Sequence, residues 1–106
     1  MDLKAVADIF ATYRKYGWIP RRLTLTKAAK LSLEGFEPDL PVFDSEIDAA
    51  WFSRPPASGK IAWELRYLGK TAFALLEDID ESGSDLEVRL RSVEERLKAA
   101  IRSRSN

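Results

Sequence analysis

The sequence predicts an α+β domain: an antiparallel sheet of about four strands, with the N-terminal and C-terminal helices packed on one face. Three stretches carry this expectation. Residues 61–79 alternate apolar and polar side chains on either side of Gly69-Lys70, as two antiparallel strands joined by a tight turn do. Residues 3–16 space Leu3, Val6, Phe10 and Tyr13 three or four apart, the period of a helix with one apolar side. Residues 84–101 open with Ser84-Asp85-Leu86-Glu87, a capping box in which Ser and Glu each satisfy the other's free backbone donor, and continue with Leu86, Leu90, Val93, Leu97 and Ile101 on one stripe. The same elements also permit helices on opposite faces. The polar positions Asp48, Arg54, Glu64 and Arg66 favour a sheet with one face left to water.

In chain order, Asp2 is placed to cap the first helix. Gly17 is placed to end it in a left-handed conformation, with Trp18 folding back on Tyr13. After Pro20, Arg21-Arg22-Leu23-Thr24-Leu25-Thr26 alternates leucine with threonine and predicts a short strand, with the proline at its start or on an edge. Thr26 suits the cap of one or two helical turns over residues 27–33, closed by Gly35, although Leu31-Ser32-Leu33 equally permits an extended segment. Residues 34–45, rich in Glu, Asp and Pro, predict an ordered loop pinned to the core by Phe36, Leu40, Val42 and Phe43. Residues 47–54 predict a strand with Ile47, Ala49 and Trp51 on one face and Asp48, Ala50, Phe52 and Arg54 on the other. Pro55-Pro56-Ala57-Ser58-Gly59-Lys60 ends that strand and leads into the hairpin, making a three-strand meander.

The register of the hairpin has two solutions. A two-residue loop with Gly69 first suits a type II′ turn and sets Leu65 opposite Ala74 and Trp63 opposite Leu76. A three-residue loop sets Tyr67 opposite Phe73, Leu65 opposite Leu75 and Ile61 opposite Ile79, gathering larger side chains. The turn chemistry favours the first. Beyond a turn at residues 80–83, the last helix offers Glu87-Arg91, Arg91-Glu95 and Glu94-Lys98 as outward i,i+4 pairs, and residues 102–106 read as a frayed tail.

Composition bounds the chemistry. With 106 residues, 45% of them hydrophobic, the chain suits one core. Lys+Arg and Asp+Glu both number 17, so no net field draws the molecule to nucleic acid or an anionic membrane. The N-terminus has no apolar signal-like run and no stretch is long enough to span a bilayer, so a cytoplasmic protein without a membrane partner is expected. The absence of Cys and His removes thiolate nucleophiles, disulfides, imidazole bases and the usual zinc ligands. An enzyme built from what remains would need carboxylates, Lys, Tyr, Ser or Arg with strongly shifted pKa values or a bound metal. No cofactor motif is present and none is expected.

The leading expectation is therefore a non-enzymatic module that binds a protein partner or itself, since a small sheet leaves strand edges open. Alternation sends Phe52 and Arg54 to the face opposite Trp51, beside Glu64 and Arg66 and next to the stiff Pro55-Pro56 turn. That makes Phe52, Arg54, Pro55, Glu64 and Arg66 a candidate interaction patch, unless Phe52 belongs to the core. The alternative is nucleic-acid or phosphate binding. From Arg14 to Lys30 every charge is positive, with Arg14, Lys15, Arg21 and Arg22 as candidate phosphate contacts and Tyr16 and Trp18 interleaved for stacking. The plainer account of this block is that it balances the acidic stretch from Glu34 to Asp48. A second alternative, a carboxylate-dependent enzyme, looks to Asp44, Glu46 and Asp48 as a cluster on alternate positions. Asp78, Asp80, Ser82 and Gly83 match half of a calcium loop, but Arg89 stands where the closing Glu belongs, so a polar turn is the reading there.

Overall fold

Asp2 accepts the Lys4 and Ala5 amides at 2.9 and 3.4 Å and so starts helix α1 (Leu3–Lys15) in a computed structural model that describes residues 1–55, 61–80 and 85–104. Gly17 ends the helix at φ +86°, and the Trp18 amide reaches back to the Tyr13 carbonyl at 3.0 Å. Strand β1 (Ile19–Leu25) follows, then helix α2 (Lys27–Ser32), capped by the Thr26 hydroxyl on the Ala29 amide and followed by Gly35 at φ +80°. The remaining elements are β2 (Val42–Asp44), β3 (Ala49–Arg54), β4 (Ile61–Tyr67), β5 (Ala74–Ile79) and α3 (Leu86–Arg104). The proposed Ser84–Glu87 capping box and the Ser82-Gly83 half of the calcium-like loop lie outside the described residues, as does most of the Pro55–Lys60 link.

The strands form one mixed sheet in the order β2-β1-β3-β4-β5, antiparallel throughout except that β2 runs parallel to β1. The α+β arrangement with a helix at each end is the expected one. The sheet has five strands rather than about four, because Val42–Asp44, expected as loop, pairs with Leu23–Leu25.

The helices do not share a face. Ala50 and Phe52 of β3 pack with Val6 and Phe10 of α1, Leu23 and Leu25 of β1, and Ala29 of α2. Ala49 and Trp51, their neighbours along the strand, pack with Trp63, Leu65 and Ile79 and with Leu90, Val93 and Leu97 of α3. Successive side chains of a strand point to opposite faces, so α1 with α2 lies on one side of the sheet and α3 on the other. The one-face expectation is corrected accordingly. Both stripes of β3 are apolar, and each needs its own helix; only the outer strands leave polar residues on an uncovered face. The two covers are also offset. The α1–α2 side covers β1 and β3, whereas α3 covers β3, β4 and β5.

The hairpin adopts the register that gathers large side chains. The Tyr67 amide donates to the Phe73 carbonyl at 2.8 Å, and Leu65 lies opposite Leu75 and Ile61 opposite Ile79. The favoured two-residue turn is thus corrected. Burying Ile61, Leu65, Leu75 and Ile79 together beneath α3 outweighs the preference of one turn type. Gly69 has a different reason to be glycine: a Cβ there would sit 2.3 Å from the Tyr67 ring, which lies across the turn.

The outward pairs of α3 also differ from the i,i+4 expectation. Glu87 binds Arg22 at 2.9 Å, Glu94 accepts the Trp51 indole N–H at 3.0 Å, and Arg89 and Arg96 both reach Glu77 of β5. These charges tie the helix to the sheet, while Lys98 pairs within the helix with Glu95 at 3.2 Å, an i,i+3 contact.

Candidate functional site

Among the described residues, the offset helices leave β5 and the outer side of β4 open on the α1 side, with Ala62, Glu64 and Arg66 half-buried and Ala74, Leu76 and Asp78 exposed. Three rows cross this open quarter: Ala62 opposite Asp78, Glu64 opposite Leu76, and Arg66 opposite Ala74. Leu76, in the middle row, is 60% exposed. Glu64 is anchored at the inner border, where its carboxylate accepts the Tyr13 hydroxyl while the Tyr13 ring stacks on Phe52 at 4.0 Å and 17°. Burial, reinforced by the bond to Glu64, holds the Tyr13 phenol well above its ordinary pKa. Arg66 Nη1 donates to the Tyr67 carbonyl.

The same quarter ends in an unpaired edge. Tyr67 and Phe73 form a hydrogen-bonded pair, so Leu75, Glu77 and Ile79 turn their backbone groups toward β4. Ala74, Leu76 and Asp78 turn theirs outward. No described strand lies beyond β5, and it carries no Pro, Lys or bulge of the kind that blunts an edge. The opposite edge is β2, only three residues long, with Val42 and Asp44 as its outward positions.

The expected interaction patch is divided by this geometry. Glu64 and Arg66 border the open quarter, but Phe52 is 0% exposed, in edge contact with Phe10 at 4.9 Å and beneath Tyr13. Its place as an exposed contact is corrected: the apolar stripe of α1 requires an apolar partner on the sheet, and Phe52 is that partner. Arg54 is exposed yet engaged, its guanidinium 4.6 Å from the Trp18 ring centre and donating to the Tyr16 carbonyl at 3.4 Å, so it secures the end of α1. Pro55 is exposed at the end of β3, away from the Glu64–Leu76 row. Leu76 was missed because the two-residue turn sets it opposite Trp63 on the buried face. The other register would have placed it in the open beside Glu64.

The basic block is dispersed between the layers. Arg14 pairs with Glu37 and Lys30 with Asp44, so part of the block does balance the acidic stretch. A bulge between Pro20 and Arg22 turns Arg21 and Arg22 to the α3 side: Arg21 lies 5.0 Å over Trp63 and Arg22 4.6 Å over Phe43 while gripping Glu87. Arg22 holds the Glu87 carboxyl below its usual range, as Lys30 does for Asp44. Lys15 projects near Tyr16 on the other side of the sheet. These cations line no common groove. The three acids Asp44, Glu46 and Asp48 likewise diverge to Lys30, Arg102 and the Thr26 amide. Among the described residues no group of three or more acidic side chains is placed to hold a metal ion, and no helix is long and apolar enough to cross a membrane. Comparison with protein-family models, curated proteins and solved structures finds no match to this chain.

Proposed function

We propose that this chain is a non-enzymatic protein-binding module that works by strand addition along β5, with Leu76 as the apolar contact beside the new strand. The observation that carries the reading is Leu76, a large exposed side chain midway along a six-residue unpaired edge. Main-chain hydrogen bonds to Ala74, Leu76 and Asp78 supply affinity in this mode, and side chains on alternate positions supply choice of partner. The lack of His and Cys, and the pairing of Arg14, Arg22 and Lys30 with carboxylates, favour this reading over catalysis or phosphate binding. Affinity capture from the native cell with the wild-type chain and with Leu76→Lys tests it. The reading expects proteins captured by the wild type to be lost with Leu76→Lys at unchanged melting temperature; an identical set with both chains removes it.

A further inference from the structure

We infer that the strand added to β5 is β5 of a second copy, antiparallel across a two-fold axis at Leu76, so that two sheets join into one. This rests on the strand-addition reading of the same edge and names its occupant.

Charge and register select this arrangement. Strands that meet antiparallel through outward-facing groups place Ala74, Leu76 and Asp78 in narrow pairs, each exchanging two backbone hydrogen bonds. With Leu76 opposite Leu76 of the second copy, Ala74 falls opposite Asp78 and Leu75 opposite Glu77, and no two like charges face each other. Sliding one copy so that Leu76 meets Asp78 brings Glu77 opposite Glu77. Sliding it the other way, with Leu76 opposite Ala74, removes the contact between the two leucines.

The rows on the open face support the same register. Extended across the axis, the central row reads Glu64, Leu76, Leu76, Glu64, so two exposed leucines cover each other. Each flanking row reads Ala62, Asp78, then Ala74 and Arg66 of the second copy. Ala74 carries only a methyl group, which leaves the long Arg66 side chain a path over it toward the Asp78 carboxylate of the other copy. Each Asp78 thus meets one Arg66 of the other copy, and the contact occurs twice across the axis, the self-complementarity an isologous interface requires. The chain has zero net charge, so two copies approach without overall repulsion. The other edge offers no equivalent, since β2 presents only Val42 and Asp44.

Light scattering and single-cysteine cross-linking test the inference on the intact chain. The wild type is expected at twice 12.0 kDa at several hundred micromolar, and Leu76→Lys at 12.0 kDa, with the two chains melting at the same temperature in dilute solution where both are monomers. Because the chain has no native cysteine, Leu76→Cys places one thiol at the axis. Narrow pairs hold Cα atoms about 5.5 Å apart, within disulfide reach. Leu76→Cys should oxidise to a covalent dimer faster than Leu31→Cys, which sits on exposed α2, because pairing raises the effective thiol concentration to the millimolar range. Ala74→Cys mixed with Asp78→Cys should cross-link faster than either alone. A monomeric wild type, or equal oxidation rates at positions 76 and 31, overturns the second-copy inference. In that event the capture comparison with Leu76→Lys still decides strand addition separately.

Discussion

At the scale of single residues, the environments of Phe52 and Tyr13 make opposite demands on solvent. Phe52 is enclosed by Phe10, Tyr13 and the β1 leucines, so Phe52→Ala is expected to lower unfolding free energy by about 3–5 kcal/mol, measured by urea denaturation. A loss under ~1 kcal/mol would place the ring at the surface after all. Tyr13 keeps its hydroxyl bonded to the Glu64 carboxylate, and Tyr13→Phe should cost about 1.5–3 kcal/mol near neutral pH, because it leaves a partly buried charge short of a donor. The pH dependence has a definite sign. The folded state raises the phenol's pKa, so its contribution is complete below the unfolded value of about 10 and is lost as pH climbs from there toward the folded value. Alkaline titration of stability should therefore fall above pH ~10 in the wild type and more shallowly in Tyr13→Phe; superimposable curves would show that the bond to Glu64 is not maintained in solution.

At the scale of elements, the helices were legible because their ends are written in short-range chemistry. Asp2, Gly17, Thr26 and Gly35 stand where α1 and α2 start and stop, and each acts on backbone groups within a few positions of itself. The sheet was less legible because its decisions are made by partners far along the chain. Val42-Phe43-Asp44 is too short for alternation to register, and it becomes a strand through parallel pairing with β1 across the intervening α2. Gly69 signalled a turn type, whereas its lack of a side chain serves the ring of Tyr67. The resulting register makes a sharp prediction about β5. The Leu75 amide points at β4, so Leu75→Pro deprives the Leu65 carbonyl of its donor, at about 1–3 kcal/mol for the unsatisfied group alone. The Leu76 amide points outward, so Leu76→Pro should be clearly milder in thermal melts of dilute protein. The reverse order would mean that the hairpin has slipped by one residue.

For the whole molecule, the offset of the two helical covers follows from β3, whose Ala49-Ala50-Trp51-Phe52-Ser53 run is buried on both faces. An apolar residue on each stripe is a sign of two-sided cover that can be read in the sequence. Glu64 and Arg66 on the neighbouring strand point instead to a wet face, and both signals hold, each in its own part of the sheet. Of the candidate site, Glu64 and Arg66 were therefore foreseeable, while Leu76 depended on a register that turn chemistry obscured. Amide exchange should follow the same gradient: slowest along β3, enclosed by both layers, and fastest in β2, as resolved by NMR. Uniform protection across the five strands would contradict it. The layering also sorts the chromophores. Trp51 and Trp63 meet edge to face at 5.8 Å beneath α3, whereas Trp18 lies across the sheet against Tyr13. Intrinsic fluorescence thus carries two independent optical signals, one from each side. A variant with Trp51 and Trp63 replaced by Phe would glow only from the α1 side, and a fluorescence midpoint that coincides with the same variant's circular-dichroism midpoint would mean that both halves melt as one unit.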